Sequence, residues 1–423
     1  MQEVSTKRER DKAVIMALVH RFGALSRVNI HGETRLRKTT ISLLVKELLR
    51  ENKLRESGVS NNPRGRKQIL LRLNESYGFV LGVEFDADAV VAGVMDLTPR
   101  IISEVTERTC LDKGADGLIQ QLIACSHRAL EQAEMRGKPL LGIGLADTGL
   151  VNSREGISVM SSEIDIWRDI PLRKIFEQEF HAPFLLESNT RARGLAERVR
   201  GAGEMTEDMI YVDYRAGIGA AIFCEGRLIR GRSDNAGELG HTRITKDGPL
   251  CKCGSFGCLE AIAGAEALGA RARRAVLEGT PSSAVSLAGH VDKITGWTVL
   301  EAARMGDKMC GSLVEGLEDY LGMAVGNLVN LFNPALVVLG RGLELGGEDL
   351  LDQIARIVRR QVLPLASEAL EFRFARLGDE AGILGAGLLI LEKLFEIPAI
   401  RPPRFMVKSA SPFLLTDSKA KTA

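Results

Sequence analysis

The chain has 423 residues, of which 45% are hydrophobic and 26% charged, a balance typical of a folded protein of two or three domains. No apolar run is long enough to cross a membrane. The amino-terminal stretch MQEVSTKRERDK lacks the apolar segment of a secretory signal. We therefore expect a cytoplasmic protein whose seven cysteines stay reduced or bind a metal.

The net charge of +1 conceals an uneven distribution along the chain. Residues 1–75 carry 17 Lys+Arg against 8 Asp+Glu, whereas the remaining residues carry 39 against 47. A basic head on an acidic body is expected when one end of a protein meets a polyanion such as nucleic acid. The alternative is a basic face that only contacts solvent.

The head, residues 1–75, is predicted to form three helices and a hairpin. Thr6 can cap a first helix with the apolar face Val14, Ile15, Leu18 and Phe22. A short second helix is expected near residues 27–33, although Gly32 lies inside it. The third helix has the clearest pattern, with apolar residues at Ile41, Leu44, Val45 and Leu48. The strand 68–73 then pairs with the segment that begins at Lys53.

The rest of the chain mixes strands and helices, which predicts an α/β body. Two strands, 77–85 and 89–96, are joined by the tight turn Asp86-Ala87-Asp88. Further strands are expected at 140–145, 184–187, 209–224 and 335–339. Helices are expected at 115–135, 171–180, 190–199, 259–330, 347–360 and 381–396.

The third helix of the head is predicted to read DNA. In helix-turn-helix domains the early residues of this helix reach base edges in the major groove. The side chains that carry suitable donors here are Arg37, Lys38, Thr39, Thr40 and Ser42. The hairpin loop offers Arg64, Arg66 and Lys67, and arginine on a thin loop suits a narrow minor groove.

A cysteine-rich loop predicts a metal site. His241 is followed by Cys251, Cys253 and Cys258 within 18 residues, and the glycines at 254 and 257 let the chain fold back. Three thiolates and an imidazole form a closed tetrahedral set that favours one structural zinc ion per chain. Because four protein ligands leave no open position, we expect no catalytic role for the metal.

These features together resemble the ROK family of repressors, open reading frames and kinases, and in particular its repressor branch. The most specific parts are Ala236-Gly-Glu-Leu-Gly-His241 and Cys251-x-Cys-Gly-x-x-Gly-Cys-Leu-Glu260. Supporting parts are Glu187-Ser-Asn189, Gly217-Ile-Gly219, and Asn333-Pro-Ala335 through Gly342. The resemblance implies a two-lobed, actin-like sugar-kinase body behind a winged helix-turn-helix. It also implies zinc on His241 and the three cysteines, and sugar contacts at Asn189, Glu238, His241 and Glu260.

With this resemblance the chain divides into five predicted parts. They are the winged helix-turn-helix at 1–75, the amino-terminal lobe at 76–190, the carboxy-terminal lobe with the zinc loop at 191–376, a helix returning to the first lobe at 377–396, and a loose tail at 397–423.

Three departures from the family's kinases argue against catalysis. Thr190 stands where the family's catalytic Asp follows the Asn, and a threonine cannot act as that base near neutral pH. The expected phosphate loop Asp-x-Gly-Gly-Thr reads Glu84-Phe-Asp-Ala-Asp88, which places carboxylates where phosphate would bind. Arg215 replaces the first glycine of the second phosphate turn. We therefore expect no phosphoryl transfer.

The sequence thus predicts a DNA-binding transcriptional regulator, a repressor that acts on double-stranded operator DNA and senses a sugar effector through its body. A homodimer or a dimer of dimers is expected, because two heads on a near-palindrome bind better than one. The alternatives are an active sugar kinase with an accessory head, and a constitutive DNA-binding scaffold without a ligand.

Overall fold

A computed structural model describes residues 6–59, 67–134, 137–204, 206–215 and 217–396. The head contains three helices: α1 (Lys7–Phe22), α2 (Arg27–Thr34) and α3 (Lys38–Arg50). Its three short strands are β1 (Leu25–Ser26), β2 (Leu54–Val59) and β3 (Ile69–Leu73), which pair antiparallel in the order β1-β3-β2. The hairpin loop between β2 and β3, including Arg64 and Arg66, lies outside the described residues.

The helix signals of the head act as expected, with one exception. Thr6 accepts a hydrogen bond from the Glu9 amide, and Ser26 caps α2 together with Asn29. The four predicted core residues of α3 are all buried. Phe22 was predicted on the core face of α1 but is 48% exposed, because α1 ends there at Gly23, whose φ is 73°.

The first sheet of the body is built from the segment 79–188. Its elements are β4 (Phe79–Phe85), β5 (Ala89–Met95), β6 (Ile101–Arg108), α4 (Gly114–Gln132), β7 (Leu140–Asp147), β8 (Leu150–Asn152), β9 (Ile157–Met160), β10 (Arg168–Ile170), α5 (Leu172–Phe180) and β11 (Phe184–Ser188). The main sheet runs in the order β11-β7-β4-β5-β6, and β8, β9 and β10 form a small separate sheet.

The second half of the body carries another five-stranded sheet in the order β14-β13-β12-β15-β16. Its elements are α6 (Asn189–Arg200), β12 (Met209–Tyr214), β13 (Ile218–Cys224), β14 (Arg227–Leu228), α7 (Leu259–Ala263), α8 (Ala265–Leu277), α9 (Ala284–Ala288), α10 (Gly296–Arg304), α11 (Lys308–Phe332), β15 (Leu336–Leu339), α12 (Glu348–Gln361), α13 (Pro364–Glu368), β16 (Glu371–Phe374) and α14 (Ala381–Leu394). The predicted α/β fold is confirmed.

Helices α6 and α14 lie between the two large sheets. A Cβ atom added at Gly144 of β7 would lie 1.8 Å from the Ala386 carbonyl oxygen, and one added at Gly385 would lie 1.8 Å from that of Ala192. Glycine is therefore required where α14 meets the first sheet and α6. Among the described residues, no helix combines the length and apolar character that membrane crossing demands.

Candidate effector site and metal centre

The metal-binding residues predicted from the sequence come together. The side-chain ligand atoms of His241, Cys251, Cys253 and Cys258 all lie within 4.8 Å of one another. The Cys253 and Cys258 sulfurs are 3.7 Å apart, and the Cys251 sulfur is 3.6 Å from His241 Nδ1. Around a tetrahedral zinc, bonds of about 2.3 Å to sulfur and about 2.0 Å to nitrogen imply a sulfur–sulfur separation of about 3.8 Å and a sulfur–nitrogen separation of about 3.5 Å. The donor set therefore fits this ion.

The backbone around the cysteines is shaped by two glycines in the left-handed region. Gly254 has φ 88° and Gly257 has φ 72°. A Cβ at Gly257 would lie 2.1 Å from the Thr245 carbonyl oxygen, so this position cannot carry a side chain without moving the loop. With His241 Nδ1 facing the sulfurs, its Nε2 remains available for a further partner.

Two predicted sugar-contact carboxylates flank this loop. Glu238 immediately precedes the short turn that carries His241, and Glu260 lies in the first turn of α7. Glu260 Oε2 accepts a hydrogen bond from the Ile218 amide at 3.2 Å. Burial raises the pKa of the Glu238 carboxyl, while Arg191 and His241 act in the opposite direction. Glu260 is thus held at the start of β13, and Glu238 lies within its electrostatic range.

Asn189 and Thr190 begin α6, directly after β11. Asn189 is buried and its Oδ1 accepts a hydrogen bond from the Thr190 amide at 2.7 Å. Thr190 Oγ1 donates to Asp213 Oδ2 at 3.3 Å. A Cβ at Gly219 would lie 2.7 Å from Thr190 Oγ1, and one at Gly217 would lie 2.7 Å from Glu260 Oε2. Thr190 and Glu260 therefore approach the same edge of β13.

Glu187, which the sequence analysis used only as part of a motif, holds two arginines. Arg191 Nε and Arg230 Nε donate to its two carboxylate oxygens, each at 2.6 Å. Arg191 also donates to the Ala236 carbonyl at 3.2 Å. This fully buried carboxylate thereby connects β11 and α6 to the segment that leads to Glu238.

A chain of charged residues, here called the hairpin bridge, joins the turns of two β-hairpins and consists of Asp86, Arg215 and Asp213. Arg215 Nη1 donates to Asp86 Oδ2 at 2.9 Å, and its Nε donates to Asp213 Oδ2 at 3.1 Å. Asp86 follows β4 in the first sheet, whereas Asp213 is the penultimate residue of β12 in the second. The two hairpin turns that the resemblance assigns to phosphate are therefore linked by a protein cation.

The hairpin bridge is strongly charged. Burial alone would raise the pKa of Asp213, but Arg215 and Arg193 lower it below its usual value. Asp86 Oδ1 is also occupied, because it accepts from the backbone amides of Asp88 and Ala89 at 2.9 Å and 2.8 Å. Sequence reasoning treated Arg215 and Asp86 as separate losses. Opposite charges at the turns of two facing hairpins were the signal that could have paired them.

Asp147 was not predicted as a site residue. It ends β7 and is fully buried, with Oδ1 accepting from the Gly149 amide at 2.8 Å and Oδ2 accepting from Trp167 Nε1 at 3.1 Å. Burial raises its pKa to about 6. The neighbouring Thr148 donates to Glu163 at 2.8 Å, and burial raises the pKa of Glu163 as well. The end of β7 and the segment between β9 and β10 thus add two carboxyl groups, and Glu163 lies within electrostatic range of the hairpin bridge.

In the head, the predicted DNA-contact residues lie at the start of α3. Arg37, Lys38, Thr39 and Ser42 are exposed and Thr40 is half-buried. Ser42 Oγ donates to the Lys38 carbonyl at 2.9 Å. Within the part of the chain that the structure describes, Arg37, Lys38 and Thr39 make no side-chain hydrogen bond or ion pair. Lys67 is exposed next to β3.

The family model for the ROK family matches residues 80–393. The chain belongs to the ROK family. A xylose repressor from Caldicellulosiruptor bescii is 27% identical over 388 residues, which cover 92% of this chain and 97% of the relative. That coverage is too large to leave out the head.

Solved ROK structures share the fold. A ROK family transcriptional regulator, a homologue of the E. coli MLC protein, superposes with a TM-score of 0.79 at 24% identity and covers 95% of this chain and 99% of its own. A ROK family glucokinase from Streptomyces griseus, solved with glucose and AMPPNP, has a TM-score of 0.65 at 31% identity. It covers 74% of this chain and 99% of its own.

The contact between Asp147 and Trp167 predicts a pH-dependent fluorescence signal. Replacing Trp297, the only other tryptophan, by phenylalanine leaves Trp167 as the sole emitter. We expect its emission to change with an apparent pKa near 6. Since the folded state holds this proton more tightly than the unfolded chain, the free energy of unfolding should fall by up to about 3 kcal/mol as pH rises from about 4 to 6.

The control for this titration is Asp147→Asn in the same Trp297→Phe background, which should give flat emission over this pH range. An unchanged Trp167 spectrum between pH 5 and 7 in the parent would show that Asp147 does not titrate there.

Proposed function

We propose that this ROK protein is a DNA-binding transcriptional regulator, a repressor of carbohydrate-metabolism genes that senses a sugar or sugar derivative without phosphoryl transfer. The observation that carries the proposal is the coverage of the relatives. The xylose repressor aligns with 92% of this chain, a length that must include most of the head. The glucokinase structure matches over 99% of its own length but covers only 74% of this chain, about the share that the body occupies. DNA binding is the function that a basic head adds to such a body.

The head is proposed to act as a winged helix-turn-helix, with α3 in the major groove. Arg37, Lys38, Thr39, Thr40 and Ser42 would contact bases and phosphates, and Arg64, Arg66 and Lys67 would reach the minor groove from the hairpin loop. The exposure of the α3 start and the absence of competing ion pairs among the described residues support this assignment. We propose that the protein acts as a homodimer or a dimer of dimers, which would match two half-sites.

The body is proposed to hold the sugar between Asn189, Glu238, His241 and Glu260. Carboxylates and an amide can each engage neighbouring sugar hydroxyls, and a metal on His241 Nδ1 would orient the ring so that Nε2 meets the ligand. We propose that the metal is a single structural zinc ion per chain. It would fix the loop between His241 and Cys258, and the donor distances support that choice.

Catalysis is proposed to be absent because the catalytic base and the phosphate-binding turns are both replaced by other residues. Thr190 has no basic group for the attacked hydroxyl, and its proton is directed to Asp213. The Arg215–Asp86 pair spans the two turns where a nucleotide's phosphates would need backbone amides.

DNA binding is tested by gel shift on the region upstream of the protein's own gene. Replacing Arg37 by alanine should weaken specific binding by about 1–3 kcal/mol if it contacts a base, and replacing Lys38 should reduce the salt dependence by about one charge. Arg360→Ala, which removes an exposed arginine of the body, should bind as the parent does. Equal binding to operator and random DNA at moderate salt would contradict the proposal.

Metal content tests the zinc assignment. We expect one zinc per chain by elemental analysis, and its loss in Cys258→Ser with a lower melting temperature, because a structural zinc contributes directly to folding. Cys110→Ser removes an exposed cysteine outside the cluster and should keep the full metal content. A metal-free purified protein with the same melting temperature after chelation would reject the assignment.

Phosphoryl transfer is tested by coupled ADP release over hexoses, pentoses and amino sugars. We expect no turnover above the protein-free background, with a ROK glucokinase as positive control in the same assay. Robust turnover would instead support the alternative of a sugar kinase with an accessory head.

A further inference from the structure

Thr190, next to Asn189 of the proposed sugar site, is hydrogen-bonded to the hairpin bridge. Its hydroxyl and Arg215 Nε both donate to Asp213 Oδ2, at 3.3 Å and 3.1 Å. The other carboxylate oxygen, Oδ1, accepts from the Tyr211 hydroxyl at 3.1 Å. Although burial opposes it, Arg215 and Arg193 hold the pKa of Asp213 below its usual value, which favours the carboxylate at neutral pH. An ionised carboxylate only accepts hydrogen bonds, so the directions of all three are determined.

These directions fix what Thr190 can offer to a ligand. A threonine hydroxyl has a single proton, and here that proton goes to Asp213. The half-buried Thr190 oxygen is therefore left only with lone pairs, so it can act only as an acceptor toward a ligand. A sugar hydroxyl can donate to it. A phosphate dianion or a carboxylate at the same position has no proton to donate. Its oxygens would face the Thr190 oxygen, and two hydrogen-bond acceptors repel each other.

The charged residues next to Thr190 also disfavour an anionic ligand. Arg215 is the cation of the hairpin bridge, and the carboxylates of Asp213, Glu84, Asp86 and Glu163 all act on it electrostatically. The second nearby cation, Arg193, is already paired with Glu84 through two hydrogen bonds of 2.7 Å and 2.6 Å. Carboxylates thus outnumber the guanidinium at this end of the cleft, and in a partly buried site their repulsion of an anion is weakly screened.

Thr190 and the proposed sugar carboxylate Glu260 approach the same edge of β13, at Gly219 and Gly217 respectively. Gly219 is the second residue of β13 and Gly217 lies just before this strand, so both side chains contact its beginning. Asn189 immediately precedes Thr190 and accepts a hydrogen bond from its amide, so a ligand that contacts Asn189 and Glu260 would come close to Thr190.

From this geometry we propose that Thr190, positioned by Asp213 and Arg215, selects the effector class: the body binds a neutral sugar and rejects the same sugar when the hydroxyl facing Thr190 is phosphorylated or oxidised to a carboxylate. The inference rests on the proposed sugar-sensing function and goes beyond it by naming the charge of the ligand. Arg215 and Asp213 are positioning residues in this scheme, because they act on the ligand through Thr190.

Paired titrations on the full-length protein test this selection. The probes are D-glucose against D-glucose 6-phosphate and D-glucuronate, and N-acetyl-D-glucosamine against its 6-phosphate, each measured by calorimetry. At least one neutral sugar should bind, and its anionic counterpart should bind at least tenfold more weakly. An anionic form that binds as well as or better than its neutral partner would overturn the proposal.

The variant Asp86→Asn tests the positioning role of Arg215 through the ratio of neutral to anionic ligand affinity. A residue that only stabilised the fold would not change this ratio. The amide oxygen can keep both turn hydrogen bonds of Oδ1, while its NH₂ group cannot accept from Arg215. The released guanidinium should then tolerate an anion, so the ratio of neutral to anionic affinity should fall by about tenfold. Glu278→Gln makes the same change in an exposed arginine pair on α8 and should leave this ratio unchanged.

A second variant, Thr190→Val, keeps the side-chain shape and removes the acceptor, so the affinity for the neutral sugar should fall while the melting temperature stays close to the parent value. Unchanged affinity would overturn the role of Thr190. Flat titrations for every sugar would overturn this inference together with sugar sensing and favour a constitutive DNA-binding scaffold. Gel shift would still report separately on DNA binding.

Discussion

The body depends on one buried ion pair, between Glu84 of β4 and Arg193 of α6. Both side chains are nearly inaccessible, and the guanidinium meets the carboxylate through two parallel hydrogen bonds. Such a pair contributes little over an apolar contact of the same shape, but losing one partner leaves an uncompensated buried charge that costs about 3–5 kcal/mol. Because Glu84 belongs to the first sheet and α6 leads into the second, the pair fixes how the two halves meet.

The same pair explains the beginning of α14. Arg193 also donates to the Gly378 carbonyl at 3.2 Å, and a Cβ at Gly382 would collide with the Glu84 carboxylate at 1.8 Å. The helix therefore starts directly against the ion pair and continues between the sheets on further glycine contacts. Its first eleven residues, Ala381–Leu391, are all buried, which is the pattern of a central helix rather than an amphipathic surface helix.

Local sequence signals predicted the elements well and their long-range pairings poorly. The four core positions of α3 and the strand pair of β4 and β5 follow from periodicity within a dozen residues, and the metal cluster follows from ligand spacing. Glu84, by contrast, sits 109 positions from Arg193 and Asp86 sits 129 positions from Arg215, so no local pattern links them. From sequence alone, a charged residue in a strand or helix is predicted to be solvent-exposed, because its buried partner is not known.

The site shows the same division. His241 and the cysteines are recognisable because metal chemistry restricts residue type and spacing together. The carboxyl of Asp147 is not recognisable, because its defining partner is an indole N–H brought to it by folding. The direction of the Thr190 hydroxyl also depends on folding: the sequence shows that a base is missing, but only the position of Asp213 determines which way the remaining proton points.

Helix α14 connects the Glu84–Arg193 ion pair of the body to the head. Helix α14 begins at the Glu84–Arg193 pair, and Phe395, one residue beyond its end, stacks on His20 of α1 at a centroid distance of 4.2 Å and an interplanar angle of 18°. Burial lowers the pKa of His20 to about 4, so the ring is neutral at physiological pH and the contact is an apolar one. A rigid helix held at both ends transmits displacement rather than absorbing it. Helix α14 thus contacts the Glu84–Arg193 pair at its start and is followed directly by the residue that stacks on the head.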